Sequence, residues 1–477
     1  MRPEAGKQER VAIIGLGASG EAAAHLALAK GARVHVTDSK SENPVAARGA
    51  ALRALGADVR LGGHDVERIA GADTVVVSPG IPPGAPVLAA LRARGVRWVS
   101  EPEFASRFIE SPLTVVTGTN GKTTTAALCA HLLCAGGVNA ALGGNIGGGL
   151  GPPASALAMM DPAPERIVLE LSSFQLADIR NLIPDVGVMT NLGVDHMDRY
   201  PSVEAYHRDK RRLFEAGDEG TAWVVNADDA AVMAMAAGYP GTHLAFSLAG
   251  EVGAGAFPVD GGAFLAGGDL FLARAGEPPR QVARAGDLRL LGRHNVANAL
   301  AAITAAAASG VPRGREAAGL GDFAPLPHRL EPVGTARGVR WVNDSKATNV
   351  AAAAGALASL EGPIVLLAGG TDKGEDFRGL LPAMGGRVRA VVAYGAAGGR
   401  AAAELGRGVP PGRAPAVTRV DGPFDEVVAA ARALARPGDT LLLAPACSSF
   451  DMFDNYQHRG DAFRALAEAA RAGEGEG

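Results

Sequence analysis

The sequence predicts an α/β protein built from three successive α/β domains, and three observations lead there. Short β-branched or aliphatic runs alternate with Ala/Leu-rich stretches along nearly the whole chain, the pattern of parallel sheets flanked by helices. Two of those runs lead into glycine-rich turns that open helices, Gly15–Gly20 and Gly118–Thr125. The length, 477 residues, exceeds what one ordinary core organises. Composition agrees: 47% hydrophobic and 20% charged residues with 65 Gly and 30 Pro describe a globular, loop-rich chain rather than a disordered one.

Net charge is −4 and spread along the chain, so no basic field points to nucleic acid. Three cysteines (Cys129, Cys134, Cys447) show neither CxxC nor zinc spacing, which speaks against a disulfide framework and fits a reducing compartment. The polar start MRPEAGKQER has no secretory apolar segment. No uncharged apolar run approaches the roughly 18 residues of a membrane span, so a cytoplasmic protein is expected.

The first block, residues 1–110, carries strands at Val11–Ile14, Arg33–Val36, Thr74–Val77 and Arg97–Val99. A break at Glu110-Ser-Pro112 precedes the strand Leu113–Val116, which opens a second block over 111–325. Its further strands are Ile167–Leu169, Val186–Met189 and Ala222–Val225. The Gly-rich stretch 245–292, with Ala263-Phe-Leu and Leu270-Phe-Leu, reads as β-hairpins at a domain margin. A Pro-punctuated hinge, Ala324-Pro-Leu-Pro-His-Arg329, leads into a third block over 326–477 with strands Arg340–Val342, Ile364–Leu367, Ala390–Ala393 and Thr440–Leu443.

Gly15-Leu-Gly17-Ala-Ser-Gly20 follows a strand and opens a helix, and Asp38 ends the next strand. Glycines there let backbone approach a pyrophosphate at a helix N-terminus, with the acid on a ribose. A dinucleotide and a UDP-sugar both offer those groups, and a tight turn holding nothing uses the same glycines. Ser78-Pro-Gly80-Ile-Pro82 follows another strand at the same expected sheet edge. Gly118-Thr-Asn-Gly121-Lys122-Thr123-Thr124-Thr125 is a GxxGK[ST] form of the phosphate loop, Val116 standing where the usual pattern has its first Gly. Backbone N–H groups would cradle phosphates, Lys122 would reach the β and γ groups, and Thr123 would reach Mg²⁺. ATP is the inference, and a nicotinamide oxidoreductase would leave this loop without a task.

Glu170 and His196 each follow a strand and are of a type to hold Mg²⁺ or Mn²⁺ near phosphate; a capping or surface histidine is the alternative for His196. Lys210, in Tyr206-His-Arg-Asp-Lys210-Arg-Arg, reads from its neighbours as part of a solvated basic helix face. Arg329 and the segment Asp344-Ser-Lys346-Ala-Thr348-Asn349 are polar groups of an interdomain cleft or of surface loops.

Taken together, Gly118–Thr125, Glu170-Leu-Ser-Ser-Phe-Gln175, Asp195-His196, His294-Asn295-Val-Ala-Asn298 and His328-Arg329 resemble the Mur ligase family, in the family's order and across all three blocks. The resemblance implies Rossmann-like N-terminal and C-terminal domains around a central P-loop ATPase domain. The N-terminal glycine motif, Asn343-Asp-Ser-Lys-Ala-Thr-Asn349 and Pro445-Ala-Cys-Ser-Ser449-Phe-Asp451 with Tyr456, Arg459 and Gly460 look like the D-glutamate-adding members. The activity so implied is ATP-dependent addition of D-glutamate to UDP-N-acetylmuramoyl-L-alanine through an acyl phosphate.

The same resemblance distributes roles. Ser19, Asp38, Gly80 and Asn145 would touch the UDP-sugar; Gly118, Thr119, Asn120, Gly121, Lys122, Thr123, Thr124, Asn295, Asn298, Arg329 and Asp344 the nucleotide. Lys346, Thr348, Lys373, Ser449 and Tyr456 would serve substrate, with Asp372 less firmly placed than Lys373. Thr123, Glu170, His196 and Lys210, the last as a carbamate, would bind two Mg²⁺ ions, and Lys122, His196 and Lys210 would be catalytic. A monomer without nucleic-acid or membrane partners is the expected state.

Overall fold

A strand covered by helices on both faces is hydrophobic along its whole length, whereas one at a sheet edge alternates or is simply short. Both kinds occur in the computed structural model of the protein, which describes residues 8–146, 149–197, 199–252, 259–407 and 415–473. The extreme N-terminal heptapeptide, Gly147, Asp198 and positions 253–258 of the Gly-rich stretch, all part of the sequence reading, lie outside the described residues.

The first sheet is fully parallel, in the order β3-β2-β1-β4-β5, from β1 (Arg10–Ile14), β2 (Arg33–Asp38), β3 (Asp58–Leu61), β4 (Thr74–Val77) and β5 (Val99–Ser100). Central β1 pairs Val11 with Val34 on one side and Thr74 on the other, and Val11–Ile14 are buried. The second sheet contains β6 (Leu113–Thr117), β7 (Ala140–Gly144), β8 (Arg166–Glu170), β9 (Val186–Met189), β10 (Ala222–Asn226), β11 (Thr242–Ser247), β12 (Gly261–Ala266), β13 (Asp269–Arg274) and β14 (Arg280–Arg284). Its order is β14-β13-β12-β11-β10-β9-β6-β8-β7.

Pairing in this sheet is parallel from β7 as far as β12 and antiparallel through β13 and β14. The Gly-rich segment is therefore a meander that widens the sheet, with Gly267-Gly268 as a two-residue hairpin turn. Its outer strands are fastened by Glu316, whose fully buried carboxylate accepts from Arg280 at 2.8 Å and Arg274 at 3.2 Å.

The third sheet runs β15-β16-β20-β17-β18-β19, from β15 (Glu331–Ala336), β16 (Val339–Asn343), β17 (Ile364–Gly369), β18 (Val388–Tyr394), β19 (Ala416–Val420) and β20 (Thr440–Leu443). Only β15 is antiparallel. Three α/β sheets in succession match the expected fold class.

Contacts group the chain into two units. One comprises Met1–Leu192, Arg199–Ala285 and Asn298–Leu320; the other comprises Gly193–Asp198, Gly286–Ala297 and Gly321–Gly477. The first unit holds the first two sheets because they share a core: Val11, Ile13, Leu26 and Phe104 belong to one apolar cluster with Leu113, Leu169, Leu176 and Trp223. The second unit has its own cores on the two faces of the third sheet, around Leu366 and Leu442 and around Trp341 and Phe463.

Candidate active site

Within the first unit the phosphate loop leaves β6 and enters the helix Lys122–Gly136, whose N-cap Gly121 has φ 82°. A Cβ at that position would overlap Asn298 Oδ1, so glycine there serves both backbone conformation and close approach. The loop is fixed by the segment that follows β9: Thr119 N–H donates to Asn191 O and Asn120 N–H to Asn191 Oδ1, each at 2.9 Å. Lys122 Nζ donates to Thr119 O at 2.8 Å, folded back over the loop it belongs to. Thr124 is buried in the first turn of the helix, and Thr125 Oγ1 reaches Asn298 Oδ1 at 3.3 Å.

A hydroxyl of this helix meets a carboxylate from the end of β8: Thr123 Oγ1 donates to Glu170 Oε2 at 2.6 Å, both residues being buried. Asn145, exposed at the end of β7, is tied in through its N–H to Glu170 O at 2.7 Å. Lys210 is not the solvated residue its neighbours imply. It is 1% exposed, donates to Gly118 O at 2.5 Å and lies 4.7 Å from the Tyr206 ring centre. Tyr206 Oη in turn reaches Thr119 Oγ1 at 3.3 Å.

The N-terminal glycine loop shows the expected strand–turn–helix geometry. Gly20 lies so close to the Gly15 carbonyl that no side chain fits between them. Asp38 is buried and turned toward its own loop, Oδ2 accepting from Leu16 N–H at 2.7 Å and Oδ1 from Lys40 N–H at 2.8 Å. Ser19 is half-buried one residue inside the helix Ala18–Ala29, and Ser78 Oγ bonds Gly15 O at 2.8 Å, drawing the Gly80 segment to the same end of the sheet. Arg199, given no role by the sequence reading, donates to Ile81 O at 3.2 Å and stacks 4.1 Å over Phe174 of the Glu170–Gln175 motif. A lone arginine among polar neighbours carries no signal for such a tie.

The second unit gathers most of the remaining residues. His328 and Leu330, on either side of Arg329, both adopt left-handed φ (62° and 43°), and Arg329 N–H closes a turn onto Leu326 O at 3.3 Å. The turn is held by Leu330 N–H on Asp344 Oδ1 at 3.2 Å and Lys346 N–H on His328 O at 3.1 Å. Burial pushes the Asp344 carboxyl up to about 7 against the opposing pull of the Leu330 N–H and Arg329. These residues form a structured pair of turns, not the solvated loops that were the alternative reading. Asn295 Nδ2 donates to Leu291 O at 2.8 Å.

Arg459, fully buried, joins two loops: Nε reaches Ser345 Oγ at 2.9 Å and Nη2 reaches Ser345 O at 2.9 Å and Cys447 O at 3.1 Å. It thereby assembles the segment of Lys346 and Thr348 with that of Ser449. Lys346 Nζ stands 4.0 Å from the Tyr456 ring centre, and Tyr456 O accepts from Ser345 Oγ. Lys373 Nζ lies 3.5 Å from Asp195 Oδ1, and Asn349 Nδ2 is 3.1 Å from Asp195 Oδ2. His196 has φ 59° and its Nε2 is 3.8 Å from Asp195 Oδ2.

Of the expected metal set, Thr123 and Glu170 are brought together, and their hard oxygens suit Mg²⁺. Among the described residues no three His, Cys, Asp or Glu side chains form a metal-sized group.

Residues 9–100 match the Mur ligase MurD-like N-terminal domain, 116–306 the Mur ligase middle domain, and 328–447 the Mur ligase glutamate ligase domain. The chain is 42% identical over 472 residues to the UDP-N-acetylmuramoylalanine--D-glutamate ligase of Anaeromyxobacter dehalogenans, covering 98% of this chain and 99% of the relative. It is 41% identical to the enzyme of the same name from Myxococcus xanthus, covering 97% and 98%. Among solved structures, the pseudomurein peptide ligase type C from Methanothermus fervidus superposes with a TM-score of 0.61 at 20% identity, over 97% of this chain and all of that one. The UDP-N-acetylmuramate-alanine ligase from Thermotoga maritima gives 0.59 at 17%, again over 97% of this chain and all of that one, and both likenesses speak for the fold. With three domain families in series and relatives above 40% identity along nearly the entire length, the chain belongs to the Mur ligase family.

Proposed function

We propose that the protein is the ATP-dependent ligase that adds D-glutamate to UDP-N-acetylmuramoyl-L-alanine in peptidoglycan precursor synthesis. The observation that carries this reading is near-full-length identity of 36–42% to relatives bearing that activity's name. The phosphate loop backed by Glu170 and Lys210 supports it. The free carboxylate of the alanyl end attacks the γ-phosphorus of ATP, giving an acyl phosphate and ADP. The deprotonated amine of D-glutamate then adds to the acyl carbon, and the tetrahedral adduct collapses to the amide and inorganic phosphate.

Phosphoryl transfer of this kind asks the protein for charge neutralisation and in-line positioning more than for covalent chemistry. Lys122 is assigned to the β and γ phosphates; the loop N–H groups and the helix N-terminus hold the same charge. Mg²⁺, when bound, neutralises phosphate charge, and Thr123, Glu170, His196 and a carbamylated Lys210 are the residues assigned to two ions. Carbamylation would turn this buried cation, which donates to the Gly118 carbonyl, into a carboxylate of the kind that binds Mg²⁺.

Residues 1–110 are read as the UDP-binding domain, with Ser19, Asp38, Gly80 and Asn145. Residues 111–325 are read as the ATPase domain. Residues 326–477 are read as the D-glutamate domain, where Lys346, Thr348, Lys373, Ser449 and Tyr456 serve substrate while Arg329 and Asp344 join Asn295 and Asn298 on the nucleotide. A monomer working in the cytoplasm, where ATP and UDP-sugars are made, completes the proposal.

The deciding experiment is ATP-dependent phosphate release with UDP-N-acetylmuramoyl-L-alanine and each candidate amino acid in turn. Release with D-glutamate alone is expected. Release with a different amino acid would replace the acceptor, and none with any would remove the ligase reading.

A further inference from the structure

Lys373 stands on a loop whose geometry is set by a residue without an assigned role. Arg400, on the helix Gly398–Arg407, grips Asp372 with two bonds, Nε to Oδ2 at 2.8 Å and Nη2 to Oδ1 at 2.5 Å. Asp372 Oδ1 also accepts from Gly374 N–H at 2.7 Å, so the carboxylate spans the turn that carries Lys373. Arg400 is itself seated: its Nη1 reaches Glu404 Oε1 at 3.0 Å and its guanidinium lies 4.9 Å from the Phe377 ring centre. The loop's other side is fixed by Thr371 N–H on Ser448 O at 2.8 Å, next to Ser449. A fork-shaped, two-bond contact of this kind fixes orientation as well as charge, which lysine does not reproduce.

The charge count around Lys373 makes Arg400 matter. Carboxylates near Lys373 and Arg400 include Asp195 at 3.5 Å from Lys373, Asp372, Glu404, Asp451, which accepts from Thr371 Oγ1, and Glu375, which accepts from Val350 N–H at 2.9 Å and interacts electrostatically with Asp195, Lys373 and Arg400. A dicarboxylate approaching this region meets less repulsion while Arg400 offsets Asp372.

We propose that Arg400 is a positioning residue for the acceptor amino acid: by offsetting the charge of Asp372 and fixing the Gly370–Gly374 turn, it holds Lys373 in place for a dicarboxylate. This rests on the reading of Lys373 as a D-glutamate contact. The acceptor's affinity, and not that of ATP or the UDP-substrate, is the quantity Arg400 governs.

The test is steady-state kinetics of Arg400→Gln, Asp372→Asn, the double variant and Lys373→Met, with thermal unfolding confirming that each is folded. One unmasked carboxylate several ångströms from the dicarboxylate is expected to raise the KM for D-glutamate about tenfold in Arg400→Gln. The KM values for ATP and UDP-N-acetylmuramoyl-L-alanine should stay within about twofold of the parent's. Asp372→Asn placed on top of Arg400→Gln should recover most of the loss, because it removes the charge that Arg400 masked. An unchanged KM in Arg400→Gln, or a double variant as weak as the single, overturns the proposal. If Lys373→Met leaves the D-glutamate KM unaltered, the underlying assignment of Lys373 falls, whatever Arg400 does.

Discussion

Lys210 shows what a single residue's sequence context conceals. Its neighbours, His207, Arg208, Asp209, Arg211 and Arg212, make it look like one charge of a wet face. Yet the helix Val203–Ala216 buries Ala205, Tyr206, Lys210, Leu213 and Phe214, the i, i+4, i+7/i+8 stripe of a core-facing surface, and Lys210 stands where that stripe calls for an aliphatic residue. A lysine on a buried stripe is the signal that period-3.6 reading offers, and the charged neighbours drowned it. Removing its ammonium strips the Gly118 carbonyl of a donor and, on the proposed function, removes the carbamate. Lys210→Ala is therefore expected to lower kcat by about 10²–10³. Short-chain carboxylates such as acetate should restore part of the rate by occupying the vacated place of the carbamate. Absence of rescue at any concentration would leave Lys210 as a support for the loop backbone alone.

Secondary-structure elements were legible where they are buried on both faces. Runs such as Val11–Ile14, Ile364–Leu367 and Thr440–Leu443 announce interior strands, and they are interior. Strands β3, β7, β15 and β19 went unmarked because each lies at a sheet edge, where Asp58-Val-Arg-Leu61 or Glu331-Pro-Val-Gly-Thr-Ala336 needs no continuous apolar run. Unmarked β11 is interior but opens Thr242-His-Leu, too polar to announce itself. The short helix Glu101–Ser106 was equally silent, although it fastens the first sheet to the second through two buried glutamates.

Glu103 accepts from the N–H groups of Arg180, Asn181 and Leu182 and from Asn181 Nδ2. Glu101 has one strong partner, Ser155 N–H at 2.5 Å, while its Oε2 finds none, and burial pushes its carboxyl up to about 7. A folded-state value above the ordinary 4.5 means the fold favours the protonated form. Glu101's contribution is thus fully present below about pH 4.5 and is lost as pH rises through about 7. Glu101→Gln should be up to about 3 kcal/mol more stable than the parent at pH 8.5 and no more stable at pH 4.5. Glu103→Gln, which leaves buried N–H donors facing an amide, should cost about 2–4 kcal/mol at pH 8.5. Calorimetric unfolding of the three proteins at the two pH values decides; a Glu101→Gln advantage equal at both would remove the titration from the account.

At the scale of the molecule, sequence reading and structure divide the chain differently. Breaks in hydrophobic pattern and Pro-rich joints mark three blocks, and three sheets do follow one another. Pattern along a chain does not reveal which blocks share a core, because that depends on faces meeting across long separations. The apolar cluster running from Val11 and Phe104 to Leu169 and Trp223 joins the first two sheets into one unit, while the third sheet has separate cores. A shared core couples the unfolding of what it joins, whereas a block with its own core is free to melt at its own midpoint.

The three tryptophans are distributed to test this. Trp98 precedes β5 of the first sheet and bonds Asp178 of the second-sheet region. Trp223 lies in β10 against Phe214 with ring centres 4.9 Å apart, and Trp341 lies in β16 against Phe463 at 5.2 Å. In guanidinium titrations of three variants, each with one tryptophan replaced by Phe, the lost amplitude locates each reporter's transition. The amplitudes of Trp98 and Trp223 are expected to vanish at one denaturant concentration, and that of Trp341 in a transition of its own. A Trp98 midpoint clearly below that of Trp223 would mean that the first sheet melts alone, and that the common core, for all its burial, does not bind the two sheets into one cooperative block.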